Sequence, residues 1–256
     1  MARKRAPDTP CAVCYVARVP AGRKAASGAP VAIYLEVGSK RTFACALDWP
    51  GWARSGRDEA SAIAALFESA PRYARIVGRA RLGFATPAST SAFRVVERVP
   101  GDATTDFGAP SAVPRADAKP ASDAEVTRIV RLVEAAWRAF DDAVAGARGV
   151  TLSKGPRGGG RDLDDIARHV RDAEAGYLSA LGWPFRLDAR AGAAAEVKRM
   201  RAAVRDGLAA SARGAIAAKG PRGGTRWGPR KFARRLAWHA IDHAWEIEDR
   251  SAKTGA

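Results

Sequence analysis

Four stretches with helical apolar periodicity lie in the second half of the chain, and they constrain its fold more than any other feature. The first begins at the capping box Ser122-Asp-Ala-Glu125, whose side chains can satisfy free N–H groups at a helix start. Apolar residues behind it recur every three or four positions, and the same pattern predicts helices over about 163–181, 193–218 and 230–250. Because each apolar stripe must be buried against another, the sequence predicts an all-α four-helix bundle.

Residues 1–100 contain β-prone segments instead. Val31–Val37 and residues 41–47 are short apolar runs joined through a Gly-Ser pair, which is typical of a hairpin. An amphipathic helix follows Asp58, and Pro71 should end or bend it because proline lacks the N–H that a helix interior needs. A further strand is predicted over residues 93–97. This order of elements predicts a small strand-strand-helix domain closed by one more strand.

Residues 101–120 separate these two parts of the chain. They contain three prolines and no apolar periodicity, which predicts a linker. The sequence therefore predicts an α+β protein with a small αβ domain over residues 1–100, the linker over 101–120, and the helical bundle over 121–256.

The net charge of +16 is high for a chain of 256 residues and favours contact with nucleic acid, anionic membranes or acidic ligands. The basic residues are spread along the whole chain, which is typical of a solvated surface, so sequence-specific nucleic-acid binding is not expected. No apolar run reaches the roughly 18 residues that a membrane span needs. No secretory signal is visible. We therefore expect a cytoplasmic protein with no membrane partner.

The three cysteines are an odd number and predict no disulfide framework. Cys11-Ala-Val-Cys14 is a CxxC pair, but no second pair and no βαβ pattern accompany it. Cys45 falls inside a predicted strand, where a core position is expected. We therefore expect none of the cysteines to carry the function.

The chain has three histidines, His169, His239 and His243, and all lie on predicted helix faces that can point inward. His239 and His243 are four residues apart, so their imidazoles share one helix face and can share an ion. A lone histidine in such a place is most often a hydrogen-bonded core residue. A buried imidazole without a partner costs free energy, however, whereas three that share a metal are satisfied together. Asp242 and Glu246 flank the site, either orienting an imidazole or acting as surface charges, the commoner role.

The predicted metal site is open on one side. Small residues follow His169 on its helix face, at Ala173, Gly176 and Ala180, and they leave room for an ion and a ligand. Three imidazoles leave at least one coordination position free, which is the arrangement of catalytic rather than structural zinc. The predicted cofactor is a divalent metal, and zinc, nickel and ferrous iron all suit imidazole ligands.

Two motifs in the helical part carry a family resemblance. Arg168-His-Val-x-x-Ala-Glu174 lies in the second predicted helix, and Trp238-His-x-x-x-His243 lies in the fourth. Together with the capped first helix, they resemble the DinB-like family of metal-binding four-helix bundles over about residues 122–250. The resemblance implies that the three histidines are the metal ligands. It also implies thiol-dependent S-transfer, from a small cellular thiol such as mycothiol or bacillithiol to an electrophilic substrate.

A shorter resemblance lies in the N-terminal part. The paired strands, the Asp48-x-Pro-Gly51 turn and Ser55-Gly-x-Asp-Glu-Ala60 at a helix start are similar to the HicB-like antitoxin domain over about residues 30–77. This resemblance implies an αβ domain that binds a protein partner. Two functions therefore stay open. One is a metal-dependent thiol transferase, and the other is a non-catalytic module that binds a protein or nucleic acid and holds a structural metal.

Overall fold

The computed structural model describes residues 30–154, 160–188 and 190–252, and it shows a four-stranded sheet followed by helices. The first elements are β1 (Val31–Val37), β2 (Thr42–Ala46), β3 (Ala53–Gly56), α1 (Glu59–Glu68), α2 (Ala70–Gly78), β4 (Phe93–Pro100) and α3 (Ala103–Phe107). The long helices are α4 (Asp123–Gly146), α5 (Leu163–Leu181), α6 (Ala193–Ala212) and α7 (Pro229–Ala252). The predicted α+β class is confirmed. Within the described ranges no helix is long and apolar enough to cross a bilayer.

The sheet has the strand order β3-β2-β1-β4. β1 and β2 form the predicted antiparallel hairpin, with Tyr34 opposite Cys45. β4 pairs in parallel with β1, and Val31 lies opposite Phe93. The sequence does not predict β3, which has the residues Ala-Arg-Ser-Gly and pairs antiparallel with β2. Its residues have low strand propensity, so the pairing partner rather than the local sequence makes this segment a strand.

Local signals set most helix boundaries. The carboxylate of Asp58 caps α1, and Pro71 lies in the first turn of α2. The helix that follows Asp58 therefore ends just before Pro71, as the proline predicts. α5 has the predicted bounds. α6 ends at Ala212, six residues before the predicted end, because Gly214 has a φ of +72° and this left-handed conformation terminates helices.

The sheet and the long helices share one hydrophobic core. Ile33 and Leu35 of β1 and the indole of Trp52 belong to the same buried cluster as Phe232 and Leu236 of α7. α7 packs against α4, α5 and α6, so it lies at the centre of the helical part. The side of α7 that carries the core residues therefore also fixes where the sheet lies relative to the histidines.

Gly51 allows a close approach between the turn before β3 and α7. A Cβ atom at this position would lie 2.8 Å from Cδ1 of Ile241 and 3.1 Å from Cβ of Ala237. Its φ of +91° is also a left-handed conformation that favours glycine. The Asp48-x-Pro-Gly51 turn therefore has a packing role in this chain.

The segment 101–120, predicted as a linker, contains α3 and contacts both halves of the molecule. The buried carboxylate of Glu36 on β1 accepts hydrogen bonds of 2.9 and 3.0 Å from the N–H of Ser111. Asp117 pairs with Arg234 of α7 at 3.0 Å, and its side chain is only 2% exposed. These contacts are polar and join residues far apart in sequence, so apolar periodicity does not reveal them.

Candidate metal centre

The three histidines predicted as ligands converge between α5 and α7. His239 and His243 lie one turn apart on α7, and His169 approaches them from α5. The Nε2 atom of His239 lies 3.2 Å from Nε2 of His169 and 3.2 Å from Nε2 of His243. One candidate ligand atom from each ring lies within 4.8 Å of the other two. The three imidazoles are therefore close enough to bind one ion.

The spacing of the ring nitrogens fits a metal site. Zinc binds imidazole nitrogen at about 2.0–2.1 Å, so two nitrogens of a tetrahedral site are roughly 3.3 Å apart. A neutral imidazole has one N–H and one lone pair, so three Nε2 atoms facing one another cannot all be satisfied by hydrogen bonds among themselves. A cation between them satisfies all three lone pairs.

Burial favours the neutral form of His239 and His169, which is the form that binds metals. Burial first, and then the neighbouring His243 and His169, hold the pKa of His239 well below its ordinary value. Burial, Arg161 and His243 lower the pKa of His169. Metal binding at neutral pH therefore does not have to displace a proton from either ring. Arg161 and Arg235 add positive potential, which favours a negatively charged group on the open side of the ion.

A carboxylate is hydrogen-bonded to one of the candidate ligands. Oε2 of Glu246 lies 2.7 Å from Nδ1 of His243, and Oε1 accepts a hydrogen bond from Arg250 at 2.8 Å. The hydrogen bond to His243 is the main cause that lowers the pKa of Glu246. A carboxylate at Nδ1 keeps the ring proton there and leaves the Nε2 lone pair of His243 for the metal. The interpretation as a surface charge is therefore wrong for Glu246, whereas Asp242 pairs with Arg54 at 3.0 Å.

We expect Glu246→Ala to lower zinc affinity about 10- to 100-fold, because His243 loses the group that fixes its tautomer and ring orientation. The ring of His239 has no such orienting group, since its Nδ1 is buried without a hydrogen-bond partner among the described residues. Competition against a chromophoric chelator measures the affinity. Asp242→Ala removes the same charge from the same helix and should keep wild-type affinity. An equal loss in both variants would show that bulk charge, and not orientation, is responsible.

The small residues predicted beside His169 line a cavity. Ala173, Gly176 and Ala180 form part of the wall of a space of about 420 Å³ between the sheet and the pair α5 and α7. Lys231 and Arg235 line the same cavity but are not among the predicted site residues. The sequence could have indicated both residues, because they precede His239 by eight and four positions and therefore lie on the same helix face.

Other residues of the sequence motifs lie away from the ligand atoms. Glu174, the last residue of the α5 motif, is buried and accepts a 2.8 Å hydrogen bond from Nε1 of Trp137 on α4. Cys45 is buried as predicted, and burial raises the pKa of its thiol, which disfavours the thiolate that binds metals. Cys11 and Cys14 lie outside the described residues.

Comparison with protein-family models, with curated proteins and with solved structures found no match to this chain. Two features of the chain itself bear on its function. One is the set of converging imidazoles with the carboxylate of Glu246, and the other is the cavity that lies beside them along α5 and α7.

Proposed function

We propose that the chain is a metal-dependent thiol S-transferase of the DinB-like type, with α4, α5, α6 and α7 as its four-helix bundle. The observation that carries the proposal is the convergence of three Nε2 atoms, in which those of His169 and His243 each lie 3.2 Å from that of His239. Structural zinc sites use four protein ligands, whereas three ligands and one free position are the arrangement of catalytic sites. The proposed ion is zinc, nickel or ferrous iron.

The residues of the chain would hold the ion and attract the substrate. When bound, the ion supplies Lewis acidity, which lets an entering thiol lose its proton near neutral pH. His169, His239 and His243 are neutral ligands for it, and Glu246 keeps His243 in the correct tautomer. The positive potential of Arg235 favours the negatively charged sulfur. That sulfur would form a C–S bond with the electrophile, whose bond to its leaving group (halide in a haloarene) breaks with the electron pair going to the leaving group, and the thiol proton leaves to solvent.

The alternative is a non-catalytic module that binds a protein partner through its HicB-like domain, or a nucleic acid through its basic surface, and holds a structural metal. Such a module needs neither a free coordination position nor a cavity next to the ligands. Three candidate ligands, and not four, converge among the described residues, and a cavity lies next to them, and both features favour the transferase. A small cellular thiol as substrate also agrees with the expected cytoplasmic location.

Thiol conjugation by the full chain tests the proposal directly. Protein loaded with zinc, nickel or ferrous iron is incubated with mycothiol, bacillithiol or glutathione and a chromogenic haloarene, and product formation is followed. We expect conjugation above the uncatalysed rate with at least one thiol, and loss of that excess in His239→Ala. Asp242→Ala is the folding control and should retain the rate, because Asp242 pairs with Arg54 and not with a ligand. Equal rates for the wild type and His239→Ala would refute catalysis and favour the structural-metal alternative.

A further inference from the structure

The cavity beside the histidines has the size and the wall of a small-molecule site. Its volume is about 420 Å³, within the usual range for ligand pockets, which are mostly apolar with a few polar groups. Five aromatic side chains contribute to the wall: Tyr34, Trp52, Tyr177, Trp227 and Trp238. The ring of Tyr177 lies 5.7 Å from that of His239, so the cavity extends to the edge of the proposed metal centre.

Basic side chains and metal ligands follow one another along α7. Lys231, Arg235, His239 and His243 are spaced by four residues, which places them on one side of the helix. Each step of four residues advances about 6 Å along the helix axis. Arg235 is therefore one step from the first ligand on α7, and Lys231 is two steps away, roughly 12 Å along the axis.

Arg235 and Lys231 have no carboxylate partner among the described residues. Arg235 donates one hydrogen bond to the hydroxyl of Tyr177 at 3.2 Å and another to the carbonyl of Pro110 at 3.0 Å. Its guanidinium lies 5.1 Å from the ring centre of Trp238. The ammonium of Lys231 lies 4.9 Å from the indole ring of Trp227. Asp102 and Glu36 attract Lys231 from a longer distance, but neither positive charge at this half-buried wall forms an ion pair with a carboxylate among the described residues.

A neighbour on α7 differs from these two side chains because it has a carboxylate partner. Arg234, between them in sequence, forms two-pronged hydrogen bonds with the carboxylate of Asp117. The indole N–H of Trp238 is buried and has no hydrogen-bond partner among the described residues, although Trp238 is 6% exposed and lines the cavity. A buried N–H without an acceptor costs free energy, and a ligand with acceptor oxygens would recover it.

We infer that this cavity is the subsite for a small carboxylate with an apolar or aromatic body, whose carboxylate lies at Lys231 and Arg235. The reactive end of such a molecule would point along α7 toward the three histidines. That this molecule is a substrate rests on the proposed function. Its binding does not, because the side chains of the cavity recognise it with or without a bound ion.

Binding of 3-phenylpropionate and of its uncharged amide to the full chain tests the inference by isothermal titration calorimetry. The two probes have the same shape and differ in charge, so we expect the acid to bind at least tenfold more tightly, with or without zinc. Lys231→Met and Arg235→Met should each weaken binding of the acid about tenfold and leave the amide unaffected. Lys198→Met, at an exposed position on α6, is the charge control and should change nothing. Arg235→Lys keeps the charge and should retain most of the affinity if the site is intact.

A substitution on the opposite wall gives a second test that leaves the basic residues in place. A side chain at Gly176 would meet no atom within 4 Å of its Cβ, so Gly176→Leu should fold and occupy cavity space. We expect it to abolish binding of both probes. Equal affinity for acid and amide, or wild-type affinity in both methionine variants, would overturn the inference. Carboxylate binding without any thiol conjugation would refute the proposed transferase and leave the subsite standing.

Discussion

Replacing His239 by alanine should remove most of the zinc from the purified full-length chain. Structural zinc sites with four ligands have apparent binding free energies of about 10–16 kcal/mol, so each ligand contributes about 3 kcal/mol or more, and its loss lowers affinity roughly 100- to 1000-fold. His239 is the middle ligand, with 3.2 Å contacts to both other rings. His169→Ala and His243→Ala should lose metal to a similar extent, because two imidazoles rarely make a stable site.

Metal content by mass spectrometry after dialysis, and affinity by chelator competition, measure this effect. Cys11→Ser and Cys14→Ser are the controls and should keep wild-type metal content, because the cysteines are not expected to be ligands. Circular dichroism of each variant shows whether the fold is retained. Full metal occupancy in all three histidine variants would mean that these residues do not form a metal site.

The second large effect concerns Glu174, a buried carboxylate on α5. We expect Glu174→Gln to change the free energy of unfolding of the metal-free protein differently at the two ends of the pH range. The variant should gain about 3 kcal/mol more stability over the wild type at pH 8 than at pH 4.5. Burial raises the pKa of Glu174 from an ordinary 4.5 to about 7, against the opposing influence of the hydrogen bond from Trp137. Arg201 lowers this pKa and Asp141 raises it, and these two side chains pair with each other at 2.7 Å.

The sign of the pH dependence follows from the raised pKa. Below about pH 4.5 the carboxyl is protonated in both the folded and the unfolded chain, so burial carries no charge penalty. Between about pH 4.5 and pH 7 the unfolded carboxyl gives up its proton while the folded one keeps it, so stability falls across this range. Above about pH 7 the folded carboxyl also ionises, and the loss of stability levels off. Glutamine cannot ionise, and its carbonyl can still accept the hydrogen bond from Trp137.

Urea unfolding at pH 4.5 and pH 8, with a chelator present, measures the difference between the two proteins. Glu68→Gln, at an exposed position of α1, is the matched control and should show no pH-dependent gain. A Glu174→Gln effect that is the same at both pH values would show that the carboxyl titrates normally in the folded state.

Much of the candidate site could be predicted because its signals are local. His239 and His243 share a helix face as a direct consequence of their four-residue spacing. The bounds of α5, and hence the inward position of His169, follow from one apolar stripe and from glycine at its end. The scarcity of histidine in the chain then made these three residues the natural ligand set.

The remaining parts of the site depend on contacts that no local pattern contains. The carboxylate of Glu246 is one turn from His243, but only the rotamers of the packed helix show that it binds Nδ1 and that Asp242 turns to Arg54. The cavity exists because the sheet packs against the side of α7 that carries Arg234 and Trp238, next to Arg235. That arrangement depends in turn on the close approach of Gly51 to α7.

The sequence by itself determined the α+β class, most helix boundaries and the identity of the three candidate ligands. Caps, prolines, glycines and apolar spacing act within a few residues, so their effect can be read without the rest of the chain. The tertiary structure alone decided the strand β3, the ordering of residues 101–120 through Glu36 and Asp117, and the position of a cavity next to the histidines. Each of these depends on which distant side chains meet, and hydrogen bonding and burial are settled only when the sheet and the helices pack together.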